Sequence, residues 1–109
     1  MTRTALGELE HQALIATLRL KGEAYSVSVV QEILDRTGRE VAQSAVFIAM
    51  RRLEEKGLLQ SRVDDQTEEK GRVRRYFDLT PEGMERLREM HAALMSLWDG
   101  FHADLEEAQ

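Results

Sequence analysis

The spacing of apolar residues changes twice along this chain of 109 residues. Up to Gly57 they recur every three or four positions, from Leu58 to Leu79 they alternate with polar residues, and after Thr80 the wider spacing returns. A repeat of three or four is typical of an amphipathic helix, and a repeat of two is typical of a strand with one buried face. The sequence therefore predicts a mainly α fold that contains a small β-hairpin.

Three helices are predicted before Gly57. The first covers about residues 9–20, and the second covers about 26–37, with Ser26 as a favourable N-cap residue. The third covers about 42–57, since a lysine and a glycine at its end stabilise a helix C-terminus. Helical spacing on this third helix turns four apolar residues inward, which are Val46, Ala49, Met50 and Leu53.

The alternating segment predicts the hairpin. Leu59, Ser61 and Val63 share one face of its first strand, and the polar stretch 64–71 turns the chain. In the returning strand, residues 72–79, side chains alternate between two faces. The core side receives Val73, Arg75, Phe77 and Leu79, and the open side receives Arg72, Arg74, Tyr76 and Asp78.

A long helix is predicted to follow the hairpin. Thr80 is a suitable N-cap residue and Pro81 suits the first helical position. Heptad positions are then occupied by Met84, Leu87, His91, Leu94, Trp98, Phe101 and Leu105. This stripe continues for about 22 residues, or some 33 Å, which is longer than one small domain can cover. We therefore expect a winged helix-turn-helix in residues 1–80 and a long C-terminal dimerisation helix in 81–109, which together form one unit.

Charge is distributed unevenly. The formal net charge is −5, but residues 38–76 contain nine basic and seven acidic side chains, whereas residues 77–109 contain two and eight. The run from Lys70 to Arg75 has four cations and no acid. A contact with a polyanion is therefore expected in the middle of the chain and not at its C-terminus.

Several functional classes are disfavoured by what the sequence lacks. It contains no cysteine, which removes disulfides, thiol catalysis and thiolate zinc sites. Its three histidines are far apart, and no catalytic Ser-His-acid arrangement or phosphate-binding glycine loop is visible. No apolar run is long enough to cross a membrane, and the N-terminus lacks a signal peptide pattern. We expect a cytoplasmic protein that is not an enzyme and needs no metal or cofactor.

Four segments of the sequence resemble one known family. They are Leu6-Gly7-Glu8-Leu9-Glu10, Gly22-Glu23-Ala24-Tyr25, the segment from Arg51 to Leu59, and the segment from Arg74 to Gly83. In this order, over about residues 6–90, they look like the PadR-type transcriptional regulators. The resemblance implies a bacterial homodimeric repressor that binds double-stranded DNA, with the third helix in the major groove and the C-terminal helices forming the dimer.

The chain departs from the usual family pattern at three positions. It has Ser26 where the family usually has glycine, Ala42 where a capping serine is usual, and Phe47 where the recognition helix usually has tyrosine. The absence of a cap costs a helix about 1 kcal/mol. Phenylalanine also lacks the hydroxyl with which tyrosine can reach a phosphate, so the departures predict weaker DNA binding or a different operator.

The outer face of the third helix and the hairpin, or wing, contain the candidate DNA-binding residues. Gln43 suits adenine, Arg51 suits guanine or phosphate, and Phe47 or Ile48 suits a thymine methyl group. On the wing, cations are interpreted as phosphate contacts. The full candidate set is Gln43, Ser44, Phe47, Ile48, Arg51, Arg52, Lys70, Arg72, Arg74 and Tyr76. The structural alternative is that Phe47 packs beneath the wing and that the cations only protect an edge hairpin.

The candidate dimerisation or effector residues lie on the C-terminal helix. They are Leu87, Met90, His91, Leu94, Leu97, Trp98, Phe101 and Leu105. Apolar residues at this spacing are expected in a dimer core, and a lone histidine there is more often structural than a sensor. Two alternatives to a DNA-binding repressor remain open: a winged-helix module that binds proteins only, and a sensor of a small apolar or aromatic effector in a pocket at the dimer interface.

Overall fold

The computed structural model describes residues 5–64 and 73–107. Helices form most of this part of the chain, and one pair of strands separates the third helix from the fourth. In chain order the elements are α1 (Glu8–Leu20), α2 (Ser26–Thr37), α3 (Gln43–Glu55), β1 (Leu59–Asp64), β2 (Arg74–Leu79), α4 (Pro81–Trp98) and α5 (His102–Glu107). The predicted mainly α fold with a β-hairpin is confirmed. No helix in the described ranges has the length and apolar character that crossing a membrane requires.

The two strands pair antiparallel, as the alternating pattern predicts. Leu59 lies opposite Leu79 at one end of the ladder, and Asp64 lies opposite Arg74 at the other. The segment before α2 adds an isolated antiparallel bridge to β2, in which the Phe77 N–H donates to the Ala24 carbonyl at 2.8 Å. The hairpin is thereby fixed against the helical part of the fold.

The core lies between α1, α2, α3 and the inner face of the hairpin. Phe77, Leu14 and Met50 are fully buried in it, and Leu87 of α4 closes one side. The four α3 residues predicted to turn inward, Val46, Ala49, Met50 and Leu53, are all buried. The opposite face of α3 is thus left exposed.

Helix α2 covers the predicted residues 26–37, but its N-cap residue differs from the prediction. Ser26 is its first helical residue, and Tyr25 is the N-cap residue. The Tyr25 N–H donates to the Ser28 hydroxyl at 2.9 Å, and this hydroxyl in turn donates to the Glu23 carbonyl at 2.8 Å. Ser26 is not needed as a cap, and its hydroxyl instead accepts a hydrogen bond from the Gln43 amide at 3.0 Å.

Helix α3 is slightly shorter than the predicted range of 42–57. It starts after Ala42, which as an alanine provides no side-chain cap, and it ends at Glu55. Gly57 has a φ of 79°, in the left-handed region where glycine is favoured. The predicted glycine stop is confirmed, and it directs the chain into β1.

The junction between hairpin and α4 is closely packed. The Thr80 hydroxyl accepts from the Gly83 N–H at 3.0 Å, which confirms it as the N-cap residue, and donates to the Gly57 carbonyl at 2.6 Å. Gly83 is buried against Leu58, and a Cβ at this position would lie 2.1 Å from the Leu58 carbonyl oxygen. Only glycine allows this approach of α4 to the base of the hairpin.

The prediction of one unbroken C-terminal helix is wrong. Helix α4 ends at Trp98, the backbone leaves the helical conformation at Asp99, and Gly100 has a φ of 81°. The Phe101 N–H donates to the Trp98 carbonyl across this turn at 2.8 Å. Apolar spacing continues across the break, but Phe101 and Leu105 follow the turn and are not part of α4.

Candidate nucleic-acid interface

The exposed face of α3 contains every residue that was proposed to read DNA from this helix. Gln43, Ser44, Phe47, Ile48, Arg51 and Arg52 are all exposed. Their exposure follows from the burial of the opposite face, since helical spacing directs the two sets to different sides. The sequence therefore predicted correctly which residues of α3 face outward.

Two of these exposed residues are large and apolar. Ile48 is 51% exposed and Phe47 is 38% exposed. The Phe47 ring meets the buried Phe77 ring edge-on, with a centroid distance of 6.2 Å and an interplanar angle of 76°. One side of the Phe47 ring thus packs beneath the hairpin, as the structural alternative predicts, while the rest of the ring is open to a partner.

Two polar candidates on α3 have intramolecular partners. The Gln43 amide donates to the Ser26 hydroxyl, which ties the start of α3 to the start of α2. The Arg51 guanidinium donates to Glu54 at 2.8 Å within the last turns of the helix. Both side chains therefore have a defined orientation before any partner is bound.

A short chain of hydrogen bonds connects α3 to the wing. Glu54 accepts from the Ser61 hydroxyl of β1 at 2.6 Å as well as from Arg51. The Ser61 oxygen accepts from the Arg75 guanidinium of β2 at 2.9 Å. Arg75 is therefore directed to the core side of the hairpin, as alternation predicts, and joins the helix to the wing.

The open side of the hairpin presents two arginines stacked on two tyrosines. Arg74 lies over the Tyr25 ring at 4.6 Å, and Arg62 lies over the Tyr76 ring at 5.0 Å. The tyrosine rings contact each other with centroids 5.4 Å apart. Arg62 also donates to the Gly22 carbonyl at 3.1 Å. Stacking fixes both guanidinium groups at low entropic cost.

Tyr76 is the wing candidate whose surroundings differ from the prediction. Tyr76 lies on the open side of the hairpin, as alternation predicts. However, Tyr25 and Arg62 cover its ring, so that the residue is only 9% exposed. Its hydroxyl accepts a hydrogen bond from Arg74 at 3.4 Å. This bond, together with the nearby tyrosines, raises the pKa of Arg74, whose guanidinium stays protonated. Lys70 and Arg72 lie outside the described residues.

An open groove of about 1170 Å³ lies between α3 and the wing. The first turns of α2 and α3 border it through Ser26, Val27, Gln43 and Ser44, and the wing borders it through Val63, Val73, Arg74 and Arg75. Neither first turn contains an acidic residue. The two helix N-termini carry partial positive charge and the two arginines carry full positive charge. Both therefore favour an anion in this groove.

Sequence reasoning missed the contribution of residues 25–27 to this surface. Tyr25 stood in one of the motifs that carried the family resemblance, but its role depends on the contact with Arg74, 49 positions later in the chain. Arg62 was also missed, because its orientation depends on Tyr76 and Gly22. Spacing along one strand does not reveal such contacts between distant elements.

The proposed dimerisation residues fall into two groups. Leu87 differs from the prediction, because it is 8% exposed and belongs to the core of its own domain. Met90 and Trp98 are half-buried, and the others whose side chains are described are exposed, which are His91, Leu94, Leu97, Phe101 and Leu105. Their roles in a dimer or in effector binding stay predictions. Within 5–64 and 73–107, no group of three or more acidic or histidine residues is arranged to hold a metal ion.

Comparison with known proteins identifies the family. A family model described as the transcriptional regulator PadR-like family matches residues 14–89. A PadR family transcriptional regulator from Eggerthella lenta is 31% identical, with 89% of this chain and 82% of that chain aligned and a TM-score of 0.68. A PadR family regulator from Clostridium difficile is 19% identical, with 91% and 99% aligned and a TM-score of 0.75. A search of curated proteins finds no match.

A further structure shows the fold alone. It is a winged-helix DNA-binding protein from STIV, 15% identical, with 80% of this chain and 87% of that chain aligned and a TM-score of 0.65. The arrangement of α3 beside a two-stranded wing is thus a winged helix, as the sequence predicted. On the strength of the family match and the 31% identity, this chain belongs to the PadR-like family and is a DNA-binding transcriptional regulator.

Proposed function

We propose that the chain is a homodimeric repressor that binds double-stranded DNA with α3 in the major groove and the wing on the phosphate backbone. It acts by binding and not by catalysis, in the bacterial cytoplasm. The observation that carries this proposal is the exposed face of α3, which lies beside a groove bordered by Arg74, Arg75 and the starts of two helices. No comparable cationic surface is expected on the acidic C-terminal third.

The position of α3 supports its role in reading bases. An α-helix fits the major groove of B-DNA, where each base pair presents a distinct pattern of donors, acceptors and methyl groups. Of the helices in the winged-helix domain, α3 combines an exposed face with a direct connection to the wing through Glu54 and Ser61. Because α3 is fixed to the wing, the surface that reads bases and the surface that contacts the backbone stay at a constant distance from each other.

The wing arginines support a role in holding the backbone. Arg74 is exposed, and its guanidinium is stacked on Tyr25, the N-cap residue of α2. A phosphate at this position would meet a fixed cation next to a helix N-terminus, and both favour an anion. Such contacts fix the register of the protein on DNA without reading sequence.

The exposed face of α4 supports the homodimer. Leu94, Met95 and Leu97 are 40%, 42% and 81% exposed, and Phe101 follows after the turn at 60%. Large apolar side chains that lie together at a surface indicate a partner. A second copy of the chain, related by two-fold symmetry, would cover this face with its own equivalent face. The same symmetry suits a palindromic operator.

A mobility shift with the DNA upstream of the protein's own gene tests the proposal. We expect a discrete complex that contains two protomers and is displaced by the same unlabelled duplex but not by unrelated DNA. Transcription from that promoter in vitro should fall as the complex forms. If no complex forms at about 50 mM salt, where phosphate contacts are strong, the proposal is wrong.

A pair of arginine variants localises the binding surface. Arg74→Ala removes a cation of the wing, whereas Arg36→Ala removes an exposed cation near the end of α2 that is paired with Glu32. The first variant should weaken the complex severalfold, and the second should leave it within twofold of wild type. Equal effects of the two substitutions would contradict a backbone contact through the wing.

A further inference from the structure

We infer that α3 discriminates between DNA sequences by contact of Ile48, supported by Phe47, with thymine 5-methyl groups, in place of hydrogen bonds from Gln43 and Arg51. This inference rests on the proposed function and names the chemical feature of DNA that the helix recognises. Four observations on α3 lead to it.

The first observation is the exposure of Ile48. Half of this side chain is open, in the middle of a face that also has Arg51 and Arg52. An apolar side chain one helical turn before two cations suits a partner that presents anions and methyl groups together. The major groove does so, since the thymine C5-methyl projects there between two phosphate backbones.

The second observation is that Arg51 is held by an acidic neighbour. Its guanidinium donates to Glu54 at 2.8 Å, and Glu54 also accepts from Ser61 at 2.6 Å. One guanidinium N–H is occupied by this carboxylate, so bidentate bonding to guanine would have to use the remaining N–H groups with an acidic side chain beside the DNA. Arg51 is better placed to neutralise Glu54 than to specify a base.

The third observation concerns Gln43. Its amide nitrogen donates to the Ser26 hydroxyl at 3.0 Å, so that part of its donor capacity is already used. Recognition of adenine by glutamine uses the amide nitrogen and the amide oxygen together. Gln43 could therefore contact adenine only with its remaining N–H and its oxygen, in the orientation that the bond to α2 allows.

The fourth observation is the rigidity of the apolar pair. Phe47 is fixed edge-on against the buried Phe77 ring, and it has no hydroxyl with which to form a hydrogen bond. Ile48 is β-branched, so that one side-chain rotamer is strongly favoured in a helix. Both residues therefore present fixed apolar surfaces, and these lose little entropy when they contact a methyl group.

The test replaces thymine by uracil, which removes only the 5-methyl group and preserves pairing with adenine. The duplex is first identified by footprinting of the upstream DNA, or by selection from a random pool. Each thymine of the protected site is then replaced separately, and affinity is measured by fluorescence anisotropy. At one or more thymines per half-site we expect about a fourfold loss, the value of burying one methyl-sized group, and about fifteenfold when both half-sites are changed.

Protein variants connect this effect to α3. In Ile48→Ala the same uracil substitution should change affinity by less than twofold, because the side chain that touches the methyl group is already absent. In Ile48→Val, which retains a branched apolar side chain, the response should persist. Arg51→Ala should weaken binding to all duplexes alike, without a change in base preference.

The outcomes separate this inference from the proposed function. If neither the upstream DNA nor the pool yields a specific duplex, the proposed function is wrong and the inference falls with it. If a specific duplex is found but every thymine tolerates uracil within twofold, only the inference is overturned. It is also overturned if the uracil response persists unchanged in Ile48→Ala.

Discussion

Substitution of Gly83 by alanine should destabilise the protein, although such a change normally stabilises a helix. In an exposed helix interior, alanine is more favourable than glycine by about 1 kcal/mol. At Gly83 the added Cβ would lie 2.1 Å from the Leu58 carbonyl oxygen and 3.1 Å from a Leu79 methyl carbon. The closest neighbour is backbone, so that no side-chain rotation relieves the clash.

The magnitude follows from what has to move. Helix α4 would have to retreat from the hairpin by about 1 Å, a form of overpacking that costs about 1–3 kcal/mol. The same shift would strain the bonds from the Thr80 hydroxyl to the Gly57 carbonyl and from the Thr80 N–H to the Leu58 carbonyl, each worth about 1 kcal/mol. We expect a total loss of about 2–4 kcal/mol in the free energy of unfolding.

Urea denaturation followed by circular dichroism measures this loss. Gly7→Ala is the matched control, because the nearest atom to its added Cβ is a Glu10 carboxylate oxygen at 4.0 Å and its φ of −69° suits alanine. The control should lose no more than about 1 kcal/mol, the modest preference for glycine over alanine at an N-cap position. A Gly83→Ala variant as stable as the control would refute the close packing of α4 on the base of the hairpin.

Three further perturbations test other parts of the structure. Burial raises the pKa of Glu10, but hydrogen bonds from Lys56 and a backbone N–H outweigh it, so that this pKa lies below the ordinary value of 4.5. Glu10 therefore contributes stability that is complete above pH 4.5 and is lost as pH falls through its lowered pKa. Glu10→Gln should cost about 1–2 kcal/mol in urea denaturation at pH 7 and should reduce the loss of stability at acid pH. Glu8→Gln, which changes an exposed ion pair, should have neither effect. Arg74→Ala should make the slope of log affinity against log salt shallower by about one for each phosphate that is no longer neutralised, as measured by anisotropy; an unchanged slope would argue against a phosphate at this arginine. Leu97→Asp should shift sedimentation from dimer to monomer without a change in helix content, and a dimer that resists it would place the interface elsewhere.

The helices and strands followed from local chemistry. Thr80-Pro81 at the start of α4 and Gly57 after α3 act through the residues of a single turn, so that their effect is visible in the sequence. The N-cap residue of α2 was predicted wrongly, because two serines lie two positions apart and both suit capping. The Ser28 hydroxyl accepts the Tyr25 N–H at the start of the helix. The Ser26 hydroxyl is then available to accept from Gln43, a residue on another helix.

The end of α4 and the surroundings of Tyr76 required the structure. Apolar heptad spacing continues across Asp99 and Gly100, so that the pattern by itself indicated an unbroken helix. Gly100 was the available signal for the break. The exposure of Arg74 was predicted correctly, but the cover that Tyr25 gives to Tyr76 depends on a contact between residues about 50 positions apart.

The salt dependence of DNA affinity tests the central claim, that a dimer of this chain holds the phosphate backbone while α3 reads a specific site. Affinity for the footprinted or selected duplex is measured by anisotropy from about 50 to 200 mM salt, beside a scrambled duplex of equal length. If a dimer neutralises about six phosphates, the slope of log affinity against log salt should be near −5, a loss of about a thousandfold over this range, with the specific duplex preferred throughout. A flat response, or equal affinity for the two duplexes, would contradict the account.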